Sequence, residues 1–259
     1  MTAMPRQTLR LVVDATTPDP APIAQAARVL AGGGLVVFPT ETVYGLGAHA
    51  LDAVAVADIF GAKERPATDP LIVHLAAAAD LPRVAAAIPE TAAALAAAFW
   101  PGPLTLIVPR HPDVPPIVTA GLPNVAVRVP VHPVAQALLV AAGVPVAAPS
   151  ANRFSRPSPT TAAHALADLD GRVDVVLDGG PTDIGVESTI VDCTVMPPLV
   201  RRAGGVAIEA LRAIVPSIAV ADHVAGVEHA QLAPGQLLRH YAPNARMTVY
   251  DAAPADGVA

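Results

Sequence analysis

The chain has 259 residues, 53% of them hydrophobic, which is ample apolar material for one large domain with or without an appendage. Its net charge of -6 argues against nonspecific nucleic-acid binding, which needs a basic face, so an anionic ligand must be held by a local cluster of cations. The single cysteine, Cys193, excludes an internal disulfide and a thiolate metal cluster, fits a reducing compartment, and reads as a small buried hydrophobe.

Residues 9–14 predict a first strand, and residues 20–31 a helix that starts after Asp19 and stops at Gly32-Gly33-Gly34. Residues 35–38 read as a short buried strand. The glycines precede this strand instead of following one, so they form no dinucleotide fingerprint. A phosphate-binding P-loop is excluded as well, because the only lysine, Lys63, stands between Ala62 and Glu64.

Residues 39–47, Pro-Thr-Glu-Thr-Val-Tyr-Gly-Leu-Gly, read as a polar loop. A helix over residues 52–61 with Asp52 as its cap leads into Lys63-Glu64-Arg65-Pro66, and residues 71–75 predict a strand. Lys63 and Arg65 are thereby expected on a helix-to-strand loop. A compact ammonium and a planar guanidinium two residues apart suit a polyanion, although two solvent-facing charges at a helix C-terminus would read the same way. His74, inside the apolar strand, is either a satisfied core histidine or a ligand-binding group.

A helix over residues 90–100 is followed by strands over 104–108 and 125–129, the second of which carries Arg128. A guanidinium inside an apolar strand is costly unless paired, so Arg128 either meets a carboxylate of the protein or awaits one from a ligand. Residues 133–142 predict a helix and 144–148 a strand. The loop 149–158, with Ser150, Asn152 and Ser158, opens at the carboxyl end of that strand, where open α/β sheets bind ligands. The uncharged run 129–152 contains Pro130, Pro133, Gly143, Pro145 and Pro149, a punctuation foreign to a membrane helix.

A helix over 160–169, strands over 173–177, 188–192 and 199–202, and a last helix over 208–215 complete the pattern. The expected class is α/β, one domain over residues 1–215 with a twisted mixed β-sheet flanked by helices and a central ligand cavity. Residues 216–245 read as a linker. Within it the aperiodic stretch 233–243, which includes Arg239, His240 and Tyr241, is expected to act as a lid. Residues 246–259 suffice only for the start of a further unit.

No His-Glu-x-x-His and no Gly-x-Ser-x-Gly occur, so zinc hydrolysis and a nucleophile elbow are unsupported. What remains is a set of cations, Lys63, Arg65, Arg128 and Arg202, with Thr42, Ser150, Asn152, Ser158 and Ser188 as hydrogen-bonding groups. That inventory suits a polyphosphate and a small zwitterion held for transfer by positioning and charge stabilisation.

Through Lys63-x-Arg65, Ser150-x-Asn152, the run Gly-Val-Glu-Ser-Thr-Ile-Val-Asp at 185–192 and Arg202-x-Gly204, the chain resembles the YrdC-type threonylcarbamoyl-AMP synthases from about residue 21 to 243. The resemblance implies a YrdC-like domain that converts L-threonine, bicarbonate and ATP to threonylcarbamoyl-AMP and pyrophosphate. It implies threonine near Thr42, His74, Arg128, Ala148 and Ser188, with Arg128 on the carboxylate. ATP is implied against Lys63, Arg65, Asp69, Asn124, Ser150, Asn152, Ser158, Arg202 and Tyr241, with Lys63 and Arg65 as catalytic cations.

Mg²⁺ is expected to accompany ATP, with no protein-bound metal and no prosthetic group. The implied protein is a cytoplasmic nucleotidyltransferase, away from membranes, whose product feeds threonylcarbamoyladenosine modification of tRNA by separate threonylcarbamoyl transferase proteins. Direct tRNA contact is left open. Leu237-Leu238-Arg239-His240-Tyr241 resembles the linker of longer members, which usually reads Lys-Tyr-Arg-His-Tyr, and residues 246–259 resemble the start of their Rossmann-like C-terminal domain, expected here as truncated or absent. Two rival readings are a tRNA- or double-stranded-RNA-binding module and carbamoyl transfer through an adenylate onto another acceptor.

Overall fold

Alternation along the strands divides the protein's apolar residues between two faces of one sheet. In β2 (Val36–Pro39), Val36 and Phe38 belong to one core, whereas Val37 and the preceding Leu35 belong to the other. The same alternation separates Val175 and Leu177 from Val176 in β8 (Val175–Asp178), and Val146 from Ala147 in β7 (Val146–Ala147). Side chains two residues apart share a face, so the sheet is covered on both sides and its strands read as continuous apolar runs. The computed structural model describes residues 6–221. The expected lid, Tyr241 with it, and the strand expected over 247–250 lie outside the described residues.

Eleven strands form an open sheet in the order β1-β8-β2-β3-β7-β4-β6-β5-β9-β10-β11. The remaining strands are β1 (Leu9–Val12), β3 (Tyr44–His49), β4 (Ile72–His74), β5 (Leu104–Pro109), β6 (Asn124–Arg128), β9 (Thr189–Asp192), β10 (Leu199–Arg202) and β11 (Ala219–Val220). Parallel pairs such as β4 with β6 and β5 with β9 alternate with antiparallel ones such as β2 with β3 and β5 with β6, as a mixed sheet requires. On one face α1 (Pro20–Ala31) packs with α4 (Pro133–Ala142) over Val36, Phe38, Val146 and Leu177. The other face buries α2 (Ala53–Lys63), α3 (Glu90–Phe99), α5 (Ala162–Leu169) and α6 (Ile208–Ile214).

The helix ends follow their capping chemistry. Proline opens α1 and α4, the Asp52 side chain accepts from the Val54 and Ala55 amides at the start of α2, and Thr161 accepts from His164 at the start of α5. Two features depart from the sequence expectation. Residues 44–47 of the polar loop expected over 39–47 belong to strand β3, paired antiparallel with β2, and α2 continues past Gly61 to Lys63 before Glu64 turns the chain with φ 54°. Glycine masked β3: a Cβ on Gly47 would lie 2.9 Å from both Phe38 and Val146, so close packing removed the side chain that strand periodicity needs.

The strand register assembles the polar residues. His74 of β4 lies opposite Arg128 of β6, and Arg128 lies opposite Thr105 of β5. Ile72, Ala126, Ile107 and Ile190, at the same parity of these strands and of β9, form a small apolar cluster beside them on the same face. Among the described residues no helix is long and apolar enough to cross a membrane.

Close backbone contact also fixes the β9–β10 edge, where a Cβ on Gly204 would fall 2.2 Å from the Glu187 carbonyl oxygen and 2.6 Å from the Ser188 carbonyl carbon. Gly204→Ala should therefore destabilise the fold by at least about 1–3 kcal/mol in urea unfolding. Gly61→Ala, at an exposed helical position with nothing within 4 Å, should instead stabilise it by about 0.5–1 kcal/mol. Equal effects from the two substitutions would refute this account of the close approach.

Candidate active site

Arg128 resolves the alternative posed by its strand. Only 4% exposed, its Nη2 lies 2.6 Å from Glu41 Oε1, its Nη1 donates to Thr42 Oγ1 at 2.9 Å, and its Nε donates to the Gly102 carbonyl at 3.3 Å. The protein itself thus supplies a carboxylate, from the turn between β2 and β3. Thr40 Oγ1 donates to the Val43 carbonyl at 2.7 Å and lies 2.9 Å from Thr42 Oγ1. Since the Thr40 proton is committed to Val43, Thr42 donates to Thr40 and accepts from Arg128, which fixes the direction of the chain of hydroxyls.

His74 stands beside Arg128, its ring edge-to-face with Phe38 at 6.2 Å. Burial, aided by the Arg128 charge, pushes its pKa down to about 3, so the imidazole is neutral. Its Nδ1 is buried without a well-aligned hydrogen-bond partner among the described residues. Ser188 completes this end: its Oγ lies 2.8 Å from Thr105 Oγ1 and accepts from Arg202 Nη2 at 3.2 Å.

The second end is built around α2. The left-handed turn at Glu64 brings the Arg65 amide back to the Phe60 carbonyl, and the Arg65 guanidinium pairs with Asp69 at 2.9 Å and donates to the Pro70 carbonyl at 2.9 Å. Lys63 corrects the sequence expectation: it is the last residue of the helix, not part of a loop, and is 1% exposed. Its Nζ donates to the Ser150 carbonyl at 2.5 Å and to the Asn152 carbonyl, tying down the loop after β7. Burial, then the Arg65 charge, holds its pKa well below the ordinary lysine value.

One cleft joins the two ends. Thr42, His74, Arg128, Ala148 and Ser188 line it together with Arg65, Ser150 and Arg202. Eight expected site residues therefore share one cavity. Lys63 and Asn152 lie behind its wall, the Asn152 amide donating to the Arg153 and Arg156 carbonyls at 2.8 Å. Asp69 is buried against Arg65.

Ser158 reaches the cleft only through Glu187, to whose Oε1 its hydroxyl donates at 2.5 Å. Asn124 lines a neighbouring cavity and donates to Thr194 Oγ1 at 3.2 Å; Pro70 borders both cavities. Sequence reading gave no role to Thr40, Glu41, Thr105 or Glu187. Thr40, Glu41 and Glu187 stand inside the stretches it singled out, but only the tertiary contacts reveal what they touch. Cys193 is buried, its thiol pushed up to about 12 by that burial.

Comparison with known proteins bears on this site. A family profile for Sua5, YciO and YrdC, described as "Telomere recombination", matches residues 28–204. A second, described as "Threonylcarbamoyl-AMP synthase, C-terminal domain", matches residues 206–258, so that domain is represented here and the expectation of its absence is corrected. The threonylcarbamoyl-AMP synthase of Pyrococcus abyssi (strain GE5 / Orsay) is 49% identical over 228 residues, 87% of this chain and 67% of the relative. That of Bacillus subtilis (strain 168) is 47% identical over 253 residues, 96% of this chain and 73% of the relative.

The crystal structure of P. abyssi Sua5 complexed with L-threonine matches with a TM-score of 0.87 at 45% identity, covering 92% of this chain and 69% of that one. With the profile spanning most of the sheet and the whole cleft, the chain belongs to the Sua5, YciO and YrdC family.

Proposed function

We propose that the chain is an L-threonylcarbamoyladenylate synthase, a nucleotidyltransferase acting on L-threonine, bicarbonate and ATP. The observation that carries this reading is one cleft with two unlike ends: the buried Arg128 guanidinium with a hydroxyl and a neutral imidazole at one, and the Arg65 guanidinium with the Ser150 loop at the other, Arg202 being bonded to Ser188 on the same cleft wall. The first suits an amino acid, with Arg128 on its carboxylate and Thr42, His74 and Ser188 around its polar groups. The second suits a polyphosphate, with Arg65, Ser150 and Arg202 in contact. The relatives named threonylcarbamoyl-AMP synthase and the threonine-bound Sua5 structure support the same assignment.

In this reading the threonine amine and bicarbonate condense to a carbamate and water. A carbamate oxygen then attacks the α-phosphorus of ATP while the bond to the β-phosphate oxygen breaks and pyrophosphate leaves. Such a displacement depends on position and charge stabilisation more than on a strong base. Arg65 and Arg202 stabilise charge on the phosphates, and Lys63 acts from behind by fixing the Ser150 and Asn152 carbonyls.

Mg²⁺ fits as a companion of the triphosphate. The described residues hold no group of three His, Cys, Asp or Glu side chains that could cage a metal, and Glu187 is the carboxylate on the cleft wall that would hold the ion from the protein side. When bound, the ion neutralises phosphate charge during the transfer. The product would pass to tRNA threonylcarbamoyl transferase proteins in the cytoplasm. The net charge of -6 disfavours the RNA-binding alternative.

Pyrophosphate should be released from ATP only when threonine and bicarbonate are both present, and release that persists without threonine would refute the assignment. Arg65→Ala should lower turnover by roughly 100- to 1,000-fold, the usual loss of one preorganised charge donor, with the threonine dissociation constant little changed. Steady-state kinetics beside calorimetry separates the two quantities.

The neutral His74 adds a pH dependence. Its folded pKa of about 3 lies below the unfolded value of about 6.5, so the unfolded chain binds the extra proton between those limits. The stabilisation is full above pH about 6.5 and is lost as pH falls toward 3, at up to about 1.4 kcal/mol per pH unit for each such histidine. His132, also lowered by burial, acts in the same sense. Urea unfolding from pH 7 to 5 should show this slope, and His74→Gln should reduce it by one proton's worth; an unchanged slope would show that His74 is charged in the fold.

A further inference from the structure

Glu41 has no place in the mechanism above, yet it is as deeply buried as the arginine it touches, 4% exposed against 4%. Its backbone is pinned, the carbonyl accepting from the Ile184 amide at 2.9 Å, and its Oε2 accepts from the Val131 amide at 3.3 Å. Its Oε1 lies 2.6 Å from Arg128 Nη2. The contact neutralises charge between two buried groups. Arg128, on the wall of the cleft, thus shares its charge with a carboxylate that cannot move far.

An amino acid whose carboxylate reaches Arg128 must then share one guanidinium with Glu41. Two carboxylates on one cation repel each other, and burial strengthens the repulsion. Removing either partner of a buried pair leaves an uncompensated charge, so Glu41 also keeps Arg128 neutralised whenever the ligand carboxylate departs. This matters for the chemistry, because the reaction occurs at the amine and the product keeps the same carboxylate. An unopposed Arg128 would hold product as firmly as it captures substrate.

We propose that Glu41 is the internal counter-carboxylate of the amino-acid subsite: it competes with the carboxylate of the bound amino acid for Arg128, weakening substrate capture and speeding product release. The proposal rests on the reading that Arg128 receives that carboxylate. Glu41→Gln keeps the shape of the side chain and removes its charge. It should tighten threonine binding by about tenfold or more, the scale on which one neighbouring like charge acts, and should lower KM for threonine and kcat together. The KM for ATP should stay unchanged.

A side chain that merely oriented Arg128 would give the opposite sign, with weaker threonine binding and a higher KM. That result, or tightening without slower turnover, overturns the proposal. If Glu41→Gln fails to fold, Glu41→Asp retains the charge but withdraws it, and should tighten threonine binding to a smaller degree; equal or weaker binding overturns the proposal. Calorimetry of the wild-type chain with threonine and with threoninamide separates the two levels of inference. Equal affinity for both ligands would refute the role of Arg128 itself, whereas a preference for threonine with no tightening in Glu41→Gln would refute only the competition.

Discussion

A guanidinium buried in a sheet face imposes a requirement on everything around it. Arg128 lies at the end of β6 among strands that are mostly apolar, and such a charge is tolerated only with a counter-charge and directed acceptors. Two separate segments meet the requirement: the turn after β2 supplies Glu41 and Thr42, and the loop before β5 places the Gly102 carbonyl, while β4 sets His74 alongside. The turn is in turn held by the Thr40 hydroxyl and by amides of residues 184 and 185, which bond the carbonyls of Glu41 and Thr42. Satisfying one charge thus orders this whole end of the cleft.

The two cations near α2 show how backbone geometry divides similar charges between different tasks. Lys63, on the last helical turn, points to carbonyl oxygens of the Ser150 loop. Arg65, one residue beyond the left-handed turn at Glu64, reaches the cleft instead. An ammonium with three donors suits a cluster of carbonyls, and a planar fork suits a phosphate. The chain keeps its sole lysine where the first kind of contact is made.

Much of the fold was legible because burial on both faces leaves unbroken apolar runs, and β10 was anticipated at residues 199–202 as found. The unreadable parts have physical causes. Gly45 and Gly47 removed the side chains by which β3 would show a period of two, and Gly61 looked like a helix stop although its exposed position lets the helix run through it. In the site, the anomaly of Arg128 was visible from its apolar neighbours, but its partner was not, since Glu41 is far away in sequence and nothing local marks it. Lys63 and Arg65 were legible as special and not as different, because their divergence depends on one backbone angle at Glu64.

The cleft's stiffness follows from where its walls are anchored. His74, Arg128 and Thr105 occupy neighbouring register positions on paired strands, with the apolar cluster of Ile72, Ala126, Ile107 and Ile190 beside them. Ser188, just before β9, bonds across to Thr105, and Arg202 at the end of β10 returns to Ser188. The positions of these groups around Arg128 are thereby set by strand spacing. A site that works by holding two reactants in fixed apposition needs that rigidity more than it needs a strong base, because misplacement of the reacting groups by about 1 Å alone can cost a hundredfold in rate. Polar residues in the middle of a sheet are expensive to bury, and here the same hydrogen bonds that offset the burial also fix the positions on which transfer depends.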